Sequence, residues 1–161
     1  MKSEDLLSLL RTNARTPVAD LARELGSSEE LVLSTIDRLE QEGVILGYDT
    51  IVDLQKIRES SVTAFVEVRI TPERGGGFDR LAERIARFDE VKSCYLMSGA
   101  YDLLVVVEGH TLQDVSTFIS QKLSTIKGVL STATHFRLKA YKENGVGLIR
   151  PSSPQRLAVS P

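Results

Sequence analysis

The chain is predicted to be an α+β protein, a winged helix-turn-helix followed by a βαββαβ unit. Three observations predict it. Two helix-like runs meet across Gly26, and a short hairpin pattern comes after the second of them. From Val62 the apolar residues alternate as in a strand and then recur at helical spacing, in the order strand, helix, strand, strand, helix, strand. Finally, 161 residues give room for two small domains, each short of buried surface unless a partner adds to its core.

The first element is a helix. Ser3 can cap it, Glu4 and Asp5 suit its first turn, and Leu6, Leu7, Leu9 and Leu10 make one broad apolar face. Thr16-Pro17 reads as a cap followed by proline at the first position of a second helix, with Val18, Leu21, Ala22 and Leu25 as its stripe. Gly26 ends that run. Ser27 or Ser28 caps a third helix, which buries Val32, Ile36 and Leu39 and stops at Gly43. Val44 to Val52 then reads as a hairpin around Gly47-Tyr48-Asp49, the wing.

These elements make residues 1–53 the winged helix-turn-helix, and the polar stretch 54–60 a linker. The second unit spans 61–141. Its first strand alternates Val62, Ala64, Val66, Val68 and Ile70 with Thr63, Phe65, Glu67 and Arg69, and Phe65 suggests that the polar face is covered too. Arg74-Gly75-Gly76-Gly77 is a loop, lacking the lysine and spacing of a P-loop. Phe78, Leu81, Ala82, Ile85 and Phe88 come next, at helical spacing. Val91–Met97 and Leu103–Val107 are strands joined by the turn Ser98-Gly99-Ala100-Tyr101-Asp102. Thr111, with Asp114 three residues on, starts a helix carrying Val115, Phe118, Ile119 and Leu123, and Val129 to Tyr141 is the last strand. Residues 142–161, rich in Gly, Pro and Ser, read as an arm.

Charge narrows the chemistry. The net charge is -2, and through Arg58 seven cations face eleven anions, which weighs against tight, salt-driven binding of a polyanion by a lone subunit. Cys94 is the only cysteine, so neither a disulfide framework nor a thiolate metal cluster is expected; mid-strand, it reads as a core residue. His110 and His135 lack companions at metal-ligand spacing. No catalytic arrangement or cofactor motif stands out. Leu6–Leu10 is too short for a signal core or a membrane span, so a cytoplasmic location without membrane partners is expected.

Two segments carry candidate chemistry. On the third helix, Ser28, Leu33, Ser34, Thr35 and Arg38 are the candidates for contacting double-stranded DNA. Arg38 is that helix's only cation and the best single choice for guanine or phosphate. Otherwise the three helices serve only to pack or dimerise. The Ser98–Asp102 turn is either a tight hairpin or a cradle whose amides and hydroxyls hold an amino-acid carboxylate while Asp102 faces the ammonium group.

Taken together, these residues resemble the Lrp/AsnC family of leucine-responsive and asparagine-operon regulators. The resemblance runs from about Leu6 to Tyr141. It is carried by Leu39-Glu40-Gln41-Glu42-Gly43-Val44-Ile45-Leu46-Gly47-Tyr48, by Ser98-Gly99-Ala100-Tyr101-Asp102 and by Gly128-Val129-Leu130-Ser131-Thr132-Ala133-Thr134. It implies a winged helix-turn-helix joined to an ACT-like, ferredoxin-like effector domain, pairing through its sheets into homodimers and often octamers. It implies transcription regulation in response to a small-molecule effector, an amino acid or a relative of one. Ser98, Gly99, Ala100, Tyr101 and Asp102 would hold that effector, with Ser131, Thr132 and Thr134 near a neighbouring subunit.

One departure is visible: family members commonly carry arginines in mid-helix where this chain has Ser34 and Thr35. Two weak readers linked in one oligomer would gain effective concentration, so modest individual affinity need not prevent function. Two rival expectations share the architecture. One is an enzyme resembling the sirohaem decarboxylases, and the other is a sensor that has lost DNA binding.

Overall fold

The computed structural model describes residues 2–53, 61–72 and 77–148. The chain divides into two compact units, Met1–Thr50 and Ile51–Pro161. The expected linker 54–60 and most of the Arg74–Gly77 loop lie outside the described residues.

In the first unit, α1 (Ser3–Thr12), α2 (Val18–Glu24) and α3 (Glu29–Gln41) enclose Leu6, Leu10, Leu21, Ala22 and Val32. Two expected caps are not used. Lys2 holds the capping position of α1 without a side-chain bond, and the Ser3 hydroxyl instead accepts from Arg38 Nη2 at 3.0 Å. Pro17 precedes α2, its carbonyl accepting from Asp20 and Leu21, while the Thr16 hydroxyl donates to the Asn13 carbonyl at 2.8 Å. At α3 the sequence left two registers open, and Ser28 caps, accepting from the Leu31 N–H at 3.2 Å.

The turn between α2 and α3 depends on Gly26 at φ +57°: Ser27 N–H reaches the Ala22 carbonyl and Gly26 N–H that of Arg23. A left-handed residue is needed to close a helix this way, and glycine takes it without a side-chain clash. The same closure at Gly43 governs residues 44–53. Val44 and Ile45 both donate to the Leu39 carbonyl, at 2.9 and 3.1 Å, and Ile45 packs on the helical core. Those amides are committed to the helix end. The expected hairpin over Val44–Val52 is not formed: residues 44–53 contain no strand.

The second unit is a four-stranded antiparallel sheet in the order β2-β3-β1-β4, with β1 Val62–Ile70, β2 Val91–Leu96, β3 Leu103–Gly109 and β4 Val129–Phe136. Ala64, Val66, Val68 and Ile70 of β1 and Leu103, Val105 and Val107 of β3 face α4 (Asp79–Ala86) and α5 (Leu112–Thr117). Leu81, Ile85, Val115 and Phe118 come down onto them. Thr111 and Asp114 form the expected capping box, and α5 runs on through a wider π-helical stretch, Phe118–Leu123.

The last strand stops earlier than expected, at Phe136 and not Tyr141. Its partner β1 begins at Val62, and the Arg137 N–H closes the ladder on the Thr63 carbonyl at 2.9 Å. Of the expected arm, residues 149–161 lie outside the described residues, and the part that is described forms a hairpin. Lys142–Glu143 (β5) and Val146–Gly147 (β6) pair across Asn144 and Gly145, both at positive φ, and Arg137 bridges to Glu143 at 3.1 Å. Asn-Gly between extended residues is a strong hairpin signal, because both turn positions take the left-handed conformation.

Candidate reading helix and effector turn

Every turn of α3 buries one side and exposes the other. Val32, Thr35 and Leu39 are buried, while Glu30, Leu33, Ser34, Asp37, Arg38 and Gln41 face solvent. The predicted DNA contacts therefore do not share one environment. Ser28 is exposed at the helix start but is occupied as the cap. Leu33 is 48% exposed. Ser34 is exposed, its hydroxyl donating to the Leu31 carbonyl at 3.1 Å. Thr35 is buried and donates to that same carbonyl at 2.7 Å, so its hydroxyl is used inside the helix.

Arg38 is exposed but engaged. Its Nη1 donates to both Glu42 oxygens, at 2.9 and 3.1 Å, and its Nη2 to Ser3. Nearby, the Tyr48 hydroxyl donates to Glu40 at 2.8 Å; that bond first, then burial, raises the phenol pKa above its ordinary value. Arg11, Arg15 and Lys2 are exposed cations of the same unit, whereas Arg23 is paired with Asp20.

In the sheet unit, the Ser98–Asp102 turn is anchored to β1. Asp102 N–H donates to the Val68 carbonyl at 3.0 Å, and Asp102 Oδ2 accepts from the Ile70 N–H at 2.8 Å. Met97 N–H closes on the Asp102 carbonyl at 2.8 Å. Ser98, Gly99 and Ala100 are exposed; Tyr101 and Asp102 are half-buried.

Ser131 and Thr132 pair with Arg69 and Val68 on the other side of β1. The turn and the start of β4 thus flank one end of the same strand, about 10 Å apart at ordinary strand spacing. Thr134, opposite Val66, lies farther along, and Thr132 is within 3.2 Å of the Ser124 hydroxyl.

Sequence reasoning missed Arg69. It is exposed between these two segments and its Nε donates to the Ala100 carbonyl at 3.0 Å. The signal was the alternation of β1, which puts Arg69 on the face away from the helices at the strand end next to the turn. That face also carries Phe65, Leu104, Val106 and Tyr95, together with Glu67 3.4 Å from His135. Cys94 is half-buried, and burial pushes its thiol pKa up. Among the described residues no three His, Cys, Asp or Glu side chains gather as a metal site.

Residues 63–146 match the Lrp/AsnC ligand binding domain, and residues 4–40 match the AsnC-type helix-turn-helix domain. The chain belongs to the Lrp/AsnC family of helix-turn-helix transcriptional regulators. It is 45% identical to the uncharacterized HTH-type transcriptional regulator YugG of Bacillus subtilis, over 99% of this chain and 97% of that one. It is 30% identical to a proline dehydrogenase transcriptional activator of Rhodobacter capsulatus, over 86% of this chain and 89% of that one. Among solved structures, a transcriptional regulator of Neisseria meningitidis in complex with L-Met has the same fold. It superposes with a TM-score of 0.69 at 22% identity, over 89% and 92% of the two chains.

Proposed function

We propose that this Lrp/AsnC regulator binds promoter DNA through α3 and takes an amino acid, or a close relative, at the Ser98–Asp102 end of its sheet. The observation that carries the effector half is geometric. A turn of exposed amides and hydroxyls, an exposed arginine and the Ser131–Thr132 segment stand around one end of β1, within the residues that match the family's ligand-binding domain. An α-amino acid brings a carboxylate and an ammonium group. The amides of Gly99 and Ala100 and the Arg69 guanidinium suit the first, and Asp102 the second. The Neisseria complex with L-Met favours that ligand class.

In this reading Ser131, Thr132 and Thr134 also lie near a neighbouring subunit. The sheet face holding Phe65, Leu104, Val106 and Tyr95 is the surface through which two copies pair as a homodimer, with an octamer as the larger assembly. Domain limits of 1–53 and 61–141 and a cytoplasmic location belong to the same proposal. No helix among the described residues is long and apolar enough to cross a membrane.

A thermal-shift screen against the amino acids tests the effector half, because a ligand that binds only the folded state raises its melting temperature. At least one amino acid should shift the wild type and fail to shift Arg69→Ala. A screen without a single shift sinks it. Titrating promoter fragments at several salt concentrations tests the other half, where a response with no salt slope counts against DNA binding.

A further inference from the structure

Resting on the DNA-binding reading, we propose that α3 discriminates duplexes by thymine methyl groups and cytosine amino groups, through Leu33, Ser34 and Asp37. Arg38 is a positioning residue that takes no part in reading guanine. The juxtaposition behind this is the solvent face of α3. Leu33, Ser34 and Asp37 lie together on its outward side, in the first three turns after the Ser28 cap. In a helix-turn-helix the motif's second helix lies in the major groove, where its exposed face meets base edges.

Each side chain has a definite capability. Leu33 is half-exposed and purely apolar, suited to the C5 methyl of thymine. The Ser34 hydroxyl has already given its proton to the Leu31 carbonyl, so toward the groove it offers lone pairs and accepts from amino groups. Asp37 is exposed and accepts only, which fits cytosine N4 and opposes guanine O6 and N7. A lone exposed leucine means little on most surfaces. Here it sits on the reading face beside an aspartate and a serine that share its avoidance of guanine acceptors.

Arg38 would ordinarily be the guanine reader. Its two terminal nitrogens are instead held by Glu42 and Ser3, which ties the start of α1 to the end of α3. Both ends of the fork that guanine requires are thus engaged, Nη1 by the Glu42 carboxylate and Nη2 by the Ser3 hydroxyl.

The experiment selects duplexes from a random pool with the full-length protein and re-measures the best site with two base analogues. Replacing its thymines one at a time by uracil removes only the methyl. At one or more positions this should weaken wild-type binding about three- to fourfold, the effect of one buried methyl. Leu33→Ala should show no further loss at those positions. Replacing guanines by 7-deazaguanine removes the N7 acceptor and should leave the affinity within about twofold, since no side chain of the reading face donates to it.

Arg38→Lys should select the same sequence as the wild type. Uracil without effect, or a 7-deazaguanine penalty that disappears in Arg38→Lys, overturns the proposal while leaving DNA binding intact. A pool from which nothing is enriched overturns the DNA-binding reading as well.

Discussion

The two units of this chain are held together very differently. Six apolar side chains are buried among the described residues of the helical unit, against fourteen in the sheet unit, where β1 and β3 place seven side chains of zero or near-zero exposure under two helices. Since each buried aliphatic side chain is worth about 1.5–3 kcal/mol, the sheet unit has a reserve that the helical one lacks. The helical unit leans on end effects instead: the Ser28 cap, the two glycine closures and the Arg38 clasp. A regulator built this way should hold its sheet unit more firmly than its helical one.

The largest expected effect tests that asymmetry directly. Leu21→Ala and Leu103→Ala each remove a side chain with almost no exposure and should each cost about 2–5 kcal/mol. In the helical unit that loss should abolish helical order around α2 and α3, seen as collapsed amide-exchange protection, while the sheet unit stays protected. Leu103→Ala should lower the main thermal transition and leave the protein folded. Equal loss of protection in both units after Leu21→Ala would mean that they share one cooperative core.

Asp102 comes next. Its Oδ2 accepts the Ile70 amide, and a hydrogen bond to a charged group contributes about 1.5–3 kcal/mol. Asp102→Ala should therefore destabilise by about that amount in urea melts. Asp102→Asn retains a carbonyl acceptor and should keep most of the stability while losing the amino-acid shift. The pair of variants separates anchoring the turn from holding an ammonium group.

Cutting the Arg38 clasp should matter less, because Arg38 and Glu42 are both half-exposed to solvent. Ser3→Ala is expected to cost no more than about 1 kcal/mol, and the cost should fall on the helical unit alone. Native-state amide exchange at α1 and α3 reads this out. An equal effect in the sheet would contradict it.

The smallest effect is a pH dependence in the sheet unit. The hydrogen bond from Lys122, at 2.6 Å, is the main cause holding the Glu90 carboxyl below its usual range, against an opposing desolvation. A lowered carboxyl pKa contributes stability above the unfolded value, near pH 4.5, and loses it as the pH falls through the folded value. Glu90→Gln should flatten that acid limb, measured as urea midpoints between about pH 6 and about pH 3, with little change in the helical unit. A Glu90→Gln protein that keeps the wild-type slope would assign the acid sensitivity elsewhere.

The fold class, the order of elements and the helix-turn-helix spacing were legible in the sequence, since period and punctuation are properties of a few neighbouring residues. Ser28, Thr111 with Asp114, Gly26 and Gly43 mark their helix ends within four positions. The candidate segments stand out in the sequence, but the bonds their side chains make do not. That Thr35 turns inward while Ser34 stays exposed depends on which side of α3 the other helices cover.

What the sequence by itself determined, then, is where helices and strands begin, which side of each is apolar, and that the chain belongs with the regulators it resembles. Tertiary structure decided which polar groups remain available. Arg38 was committed by Ser3, thirty-five residues away, and Asp102 Oδ2 by an amide thirty-two residues away. A donor or acceptor is satisfied by whatever the fold brings within about 3 Å. That is a property of three-dimensional packing, which local periodicity does not encode.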